Sequence, residues 1–163
     1  MKIGRLTLSD RAAAGIYEDR SGPEIERMLR QALGPDTSFE AAVIADEREL
    51  ISATLREFAD QRRCDLIVTT GGTGVGPRDV TPEATRAVLD KELPGFGEVM
   101  RLHSFAKVRT AILSRATAGV RGAALIVNLP GKPTAVAECL GVLTPAILEA
   151  VAHLRGEDPH ARP

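Results

Sequence analysis

Residues 65–85 read DLIVTTGGTGVGPRDVTPEAT. Asp65 to Thr70 is a continuous apolar run rich in β-branched residues, the pattern of a strand buried on both faces of a parallel sheet. Glycines then occupy positions 71, 72, 74 and 76. Thr81-Pro82-Glu83 reads as a helix start, with Pro suited to a first turn. Strand, glycine loop and helix in that order predict one half of a βαβ unit, and so an α/β chain.

The same alternation extends in both directions. Lys2 to Ser9 reads as a strand through Ile3, Leu6 and Leu8. A helix is expected over Asp19 to Leu33, with Ile25, Met28, Leu29 and Leu33 on one stripe and Gly34-Pro35-Asp36 as its stop. Phe39 to Ala45 reads as a second strand and Glu47 to Arg62 as a second helix. Beyond the glycines, helices are expected over Thr81 to Leu89 and Phe96 to Phe105. The segment TAILSRATAGV is ambiguous and reads as extended. Ala123 to Leu129 is another buried strand, followed from Pro130-Gly131 by a long helix that Pro145 should kink. The expected fold is a three-layer α/β/α sandwich on a mostly parallel sheet, as one domain over residues 1–156 with a flexible tail at 157–163.

In a parallel sheet the carboxyl ends of the strands share one rim, where ligands bind. Four polar or glycine-rich stretches directly follow apolar strands here: Ser9-Asp10-Arg11, the region of Asp46, Gly71 to Asp79, and Asn128-Leu129-Pro130-Gly131-Lys132-Pro133. Their convergence is stronger evidence for a site than any one of them.

Composition narrows the function. The chain has 163 residues, 44% hydrophobic and 26% charged, enough for one sizeable core. A net charge of −1 gives no basic field for nucleic acid, and 3% aromatics leave little for base stacking. No apolar run reaches the roughly 18 residues that suggest a membrane span, and the N-terminus lacks a signal-peptide pattern. Cys64 and Cys139 form no CxxC pair and read as reduced structural thiols, pointing to a cytoplasmic protein.

Each motif has a bland reading beside the functional one. Gly71, Gly72, Thr73 and Gly74 let backbone N–H groups approach an anion, with a helix N-terminus behind them. A tight strand–helix turn needs only two glycines, so phosphate binding is the better reading. No Gly-Lys-Ser/Thr follows, and the GxGxxG spacing fails, which excludes a P-loop and a dinucleotide fingerprint. Asp79 either compensates a helix dipole, worth about 0.3–1 kcal/mol, or ligates Mg²⁺ beside the phosphates. Asp46 is either a cap or loop acid or a second Mg²⁺ carboxylate. Together the two aspartates near a phosphate loop favour magnesium. Ser9 and Asp10 read first as a polar loop capping a helix. Pro130, Gly131 and Lys132 read equally as a helix entry or a second anion site. The three histidines show no ligand spacing.

The stretches SDRAAAGIYEDRSGP, TTGGTGVGPRDVTPEAT, ELPGFGEVMR, TAILSRATAGVRG and NLPGKPTAVAE together resemble the molybdenum-cofactor biosynthesis family of molybdopterin-binding proteins. They are most similar to its MogA-type molybdopterin adenylyltransferases and the G domain of gephyrin. The resemblance runs in order to about Gly156. It implies transfer of AMP from Mg-ATP to the phosphate of molybdopterin, with release of pyrophosphate. It implies that Asp46 and Asp79 are the essential carboxylates organising Mg²⁺ and the nucleotide, that Gly71 to Gly74 bind phosphate, and that Ser9, Asp10 and the turn at Pro130, Gly131 and Lys132 line the pterin site. It also implies a homotrimer, with the molybdate-inserting enzyme as a candidate partner. Lys132 departs from the pattern, because the family commonly carries Asn or Gln there.

Three other readings compete: a MoaB-like molybdopterin-binding module without turnover, the molybdate-inserting enzyme, and a dinucleotide-binding oxidoreductase. The paired aspartates argue against the first. Chain length argues against the second, and glycine spacing against the third.

Overall fold

The computed structural model describes residues 1–157. Its six-stranded sheet has the order β2-β1-β3-β6-β5-β4. The strands are β1 (Lys2–Leu8), β2 (Ser38–Ile44), β3 (Leu66–Thr70), β4 (Lys91–Glu92), β5 (Ala118–Arg121) and β6 (Ala124–Leu129). The pairs β1–β2, β1–β3 and β3–β6 are parallel, while β5 runs antiparallel to β6 and β4 antiparallel to β5. The helices are α1 (Asp10–Ala13), α2 (Ser21–Leu33), α3 (Arg48–Arg56), α4 (Thr81–Arg86), α5 (Pro94–Phe105) and α6 (Pro133–Leu154).

Strand pleating divides the apolar residues between two cores. Ile3, Leu66, Val68, Leu125, Val127 and Leu129 face α2, α5 and α6, represented by Leu29, Met100, Val136, Leu140 and Ile147. Leu6, Leu8, Ile67 and Ile126 pack with Ile51 and Leu55 of α3, Phe58 just after it, Ala84 of α4 and Val88 beyond it. This is the expected three-layer sandwich. Every residue of β3 and β6 is buried, as the unbroken apolar runs predicted.

Connectivity places the site. The chain leaves β1, covers one face with α2 and returns as β2. It then crosses by α3 on the other face and enters the sheet as β3, on the far side of β1. The strand order therefore reverses at β1 and β3, and the crevice outside their carboxyl ends is the topological switch point. Ser9 follows β1 there and Gly71 follows β3.

Several boundaries differ from the expectations. The short α1 falls where a loop was expected: Ser9 caps it, its hydroxyl accepting from Ala12 N at 3.2 Å. The helix expected from Asp19 begins at Ser21, because the Asp19 side chain stays outside and accepts from Gly22 N at 2.9 Å. The helix expected to Arg62 changes at Glu57 into a π-helical turn ending at Gln61. The helix expected to Leu89 stops at Arg86, and at six residues α4 is too short to supply much macrodipole. TAILSRATAGV divides into a 3-10 turn at Arg109–Leu113 and the strand β5. Pro145 lies inside α6, which runs on to Leu154. By length and composition α6 is apolar enough to cross a bilayer, yet Val136, Cys139, Leu140, Leu143, Ile147 and Val151 are buried against the sheet and helices. The tail expected from residue 157 lies, apart from Glu157, outside the described residues.

Candidate active site

The rim is built from four strand ends tied to one another. After β3, the backbone turns through left-handed conformations at Gly71 (φ 103°) and Gly72 (φ 62°). A side chain at Gly71 would collide with the Leu8 carbonyl, and one at Gly72 with the Thr81 hydroxyl. These two glycines are therefore required by local geometry as well as by any ligand. The Thr81 hydroxyl donates to the Gly71 carbonyl at 2.9 Å, and Thr81 N donates to the Gly72 carbonyl at 3.1 Å, so the start of α4 holds the loop closed. Thr81 is thus the first residue of α4, with Val80 at the cap position. Among the described residues, the amide N–H groups of Gly72, Thr73 and Gly74 donate no hydrogen bond. Three successive unpaired amides leave backbone donors free at this turn.

The second half of the loop folds around Asp79. Its Oδ2 accepts from Gly76 N at 2.7 Å, and a Cβ at Gly74 or Gly76 would lie 2.8 Å from that oxygen. Arg115, between the 3-10 turn and β5, clamps the outside. Its Nε donates to the Gly74 carbonyl at 2.7 Å, its Nη2 to the Asp79 carbonyl at 2.6 Å, and its Nη1 pairs with Glu83. Its own amide donates to the Thr73 carbonyl at 2.8 Å. Arg115 was missed as a site residue: it lies within a motif but far from the loop in sequence.

Asp10 and Asp46 join the ends of β1 and β2 reciprocally. Asp10 N donates to Asp46 Oδ2 and Asp46 N to Asp10 Oδ1, each at 3.0 Å. Arg78 grips Asp10 with both arms of its guanidinium, Nε to Oδ2 at 3.0 Å and Nη2 to Oδ1 at 2.9 Å. Those bonds hold the Asp10 carboxyl below its ordinary range, with the Asp46 amide contributing. Burial pushes Asp46 the other way. The charges of Asp10 and Asp79 add to that upward shift, while the Asp10 amide and Arg78 oppose it. The remaining Asp46 oxygen, Oδ1, is buried without a hydrogen-bond partner. It points towards Gly72, where an added Cβ would sit 3.1 Å away.

That orphaned oxygen fits a cation. Among the described residues no group of three or more His, Cys, Asp or Glu is arranged to hold a metal. Mg²⁺ does not require one, since it keeps several waters and uses one or two carboxylates together with substrate phosphates.

The turn at Pro130-Gly131-Lys132 is pinned from below. The Thr70 hydroxyl donates to the Pro130 carbonyl and the Ser21 hydroxyl to the Gly131 carbonyl, each at 2.7 Å. The turn separates two recesses. On one side, about 160 Å³ is lined by Leu8, Ser9, Tyr17, Asp19, Gly71 and Gly131. On the other, about 290 Å³ is lined by Arg101, Ser104, Ser114, Pro130, Lys132 and Cys139. Lys132 is exposed at the cap position of α6. Asp19 organises the wall of the smaller recess, accepting from Arg5 Nη1 at 2.8 Å and from the Thr7 hydroxyl at 2.9 Å. Of the residues expected on the rim, Ser9, Gly71 and Gly131 line the smaller recess and Pro130 and Lys132 the larger, while Asp10, Asp46, Gly72, Thr73, Gly74 and Asp79 line neither.

A family profile described as "Probable molybdopterin binding domain" matches residues 4–149. The chain is 53% identical over 145 residues to a molybdopterin adenylyltransferase of Helicobacter pylori, covering 89% of this chain and 82% of the relative. It is 46% identical over 153 residues to the molybdopterin adenylyltransferase of Escherichia coli K12, covering 94% and 78%. Among solved structures, MogA superposes with a TM-score of 0.88 at 40% identity, covering 94% of this chain and 99% of that one. MoaB from Thermus thermophilus, described as a molybdopterin biosynthesis enzyme, gives 0.87 at 42% identity, covering 96% and 97%. With the glycine loop, the paired aspartates and the pinned turn on one rim, the chain belongs to the molybdopterin-binding domain family.

Proposed function

We propose that this protein is a molybdopterin adenylyltransferase of molybdenum-cofactor biosynthesis. The observation that carries the reading is the rim itself, a glycine loop with three unpaired amides beside a buried, orphaned carboxylate oxygen, in a chain about half identical to adenylyltransferases. The phosphate of molybdopterin supplies the attacking oxygen. It forms a bond to the α-phosphorus of ATP, the bond from that phosphorus to the β-bridging oxygen breaks, and pyrophosphate leaves.

The chain's residues have distinct tasks in that step. The amides of Gly72, Thr73 and Gly74 hold phosphate oxygens and fix their orientation. Arg115 keeps the loop in that shape through the Gly74 and Asp79 carbonyls. Asp46 and Asp79 are the residues to hold Mg²⁺, which when bound offsets the charge that builds on the phosphate oxygens. The two recesses on either side of the Pro130-Gly131-Lys132 turn suit two substrates, with Ser9 and Gly71 on one side and Pro130 and Lys132 on the other.

A homotrimer accompanies this reading. Its support is the exposed apolar surface of α5 and the turn after it, where Leu102 is 77% and Ile112 63% accessible. A monomer by light scattering at micromolar concentration would remove it. We place the protein in the cytoplasm, consistent with two buried, unbridged cysteines, with the molybdate-inserting enzyme as candidate recipient of its product. The decisive test is an assay of purified protein with Mg-ATP and molybdopterin. Equimolar pyrophosphate and adenylyl-molybdopterin are expected; tight molybdopterin binding with no pyrophosphate would leave a binding protein instead.

A further inference from the structure

Arg78 is a charged group on this rim to which the proposed transfer step gives no task. The backbone around it is a closed turn: Asp79 N donates to the Gly76 carbonyl at 3.0 Å, and Gly76 N to Asp79 Oδ2 at 2.7 Å. Pro77 and Arg78 form its tip and stand exposed. From there the guanidinium reaches across the crevice to the end of β1 and takes both Asp10 oxygens.

Three carboxylates, Asp10, Glu47 and Asp46, act on this one cation. Asp10 touches it. Asp46 is bonded to Asp10 through both backbone amides, and Arg78 offsets part of the repulsion that Asp10 and Asp79 exert on Asp46. The Arg78 and Asp10 side chains are 58% and 44% accessible, so the pair can part without unpacking the core. Exposed pairs of this kind contribute little to stability. A planar fork able to hold a carboxylate can hold a phosphate in the same way.

We propose that Arg78 is a resident counter-ion for the metal cradle, which leaves Asp10 when Mg-nucleotide arrives and turns its fork to the phosphate oxygens. This rests on the reading of the rim as a magnesium–nucleotide centre. In the protein as it stands the guanidinium offsets part of the repulsion that Asp10 and Asp79 exert on Asp46. It also repels a bare divalent ion, so the cradle favours metal that arrives with phosphates over metal alone. A purely structural bridge between two loops makes the opposite forecast, because losing it would loosen the cradle and weaken metal binding.

The sign of one measurement separates the two. Mn²⁺ serves as the probe and is titrated without nucleotide by electron paramagnetic resonance into wild type, Arg78→Ala and Arg78→Lys, with each fold checked by circular dichroism. A unit charge a few ångströms from a divalent ion in a water-like dielectric is worth about 1–2 kcal/mol, so removing it favours binding by about tenfold. Arg78→Ala should therefore bind Mn²⁺ about tenfold more tightly than wild type, while its KM for ATP rises about tenfold or more. Arg78→Lys, which keeps charge but loses the fork, should bind Mn²⁺ nearly as wild type and still show a raised KM for ATP. Unchanged or weaker Mn²⁺ binding by Arg78→Ala overturns the proposal, as does an unchanged KM. Wild type alone tests the underlying reading: if it neither binds Mn²⁺ nor transfers AMP, the metal centre fails and the role of Arg78 with it.

Discussion

Asp46→Asn separates chemistry from folding at this site. The replacement has the shape of the original, and its amide oxygen can keep the bond from Asp10 N now made to Oδ2 at 3.0 Å. That bond weakens from a charged acceptor to a neutral one, a loss of about 1 kcal/mol. Against it stands the removal of a charge that the fold disfavours, since burial and the neighbouring Asp10 and Asp79 raise the Asp46 pKa. The sign follows directly. A carboxyl whose folded pKa lies above its unfolded value destabilises the native state wherever it is ionised in both, and the cost fades as pH falls towards the unfolded value. The two effects oppose each other, leaving a net change within about 1 kcal/mol, or about 2–4 °C in Tm for a domain of this size. Any gain over wild type should be present at neutral pH and vanish on acidification. Activity should behave quite differently. Loss of a carboxylate that holds the metal weakens the stabilisation of the charge building on the phosphates, an effect comparable to losing one electrostatic stabiliser, about 10²–10³-fold in kcat. The assay is adenylyl-molybdopterin formation at saturating Mg-ATP, beside thermal melts at neutral and acid pH. Turnover within threefold of wild type would refute the assigned role; a large drop in Tm with matching activity loss would make Asp46 a structural residue.

Other perturbations probe the rest of the rim. Gly72→Ala places a Cβ against the Thr81 hydroxyl at a positive φ, and should cost about 1–3 kcal/mol by urea melts as well as weaken ATP binding. Arg115→Lys keeps the charge but cannot reach the Gly74 carbonyl, the Asp79 carbonyl and Glu83 together; the KM for ATP should rise at least tenfold, and a change under twofold would remove its role as a clamp. Asp10, its pKa lowered by Arg78 and the Asp46 amide, stabilises the fold above its unfolded pKa and loses that contribution as pH falls through the folded value. Asp10→Asn should therefore flatten the acid limb of a stability–pH curve. Cys64 is buried, and burial pushes its pKa to about 11, so a disulfide reagent at pH 8 should label it only after denaturation; fast labelling of native protein would contradict the core packing.

Much of this architecture is visible in the chain because its signals are local. The apolar runs of β3 and β6 could only be central strands, and each is followed at once by residues unfit for a core, so the rim was legible before its geometry. What escaped depends on distance or small scale. The four residues of α1 and two of β4 are too few to show a period. The π-helical turn after α3 keeps helical composition while altering the register. The glycine loop reads in sequence as backed by a helix N-terminus, but α4 has only six residues, so in the proposed reading the phosphate falls to the unpaired amides. Arg115 reads as an ordinary basic residue beside an ambiguous strand; only the tertiary fold brings it to Gly74. Asp19, taken as helical, serves instead as a tie between β1 and the start of α2.

The bonds that hold the glycine loop also order its assembly in time. The loop is complete in sequence by Asp79, yet its clamp is Arg115, and the turn beside it closes only when Thr70 meets Pro130, 60 residues further along the chain. During synthesis from the N-terminus, the most glycine-rich part of the protein must wait for β6 to insert next to β3. A nascent chain that has emerged only as far as α5 carries the carboxylates and amides of the rim but not their scaffold, and so has no formed cradle to offer ATP. Competence to bind nucleotide thus arrives late, almost together with the last strand, and incomplete chains are kept from engaging a substrate they could not turn over.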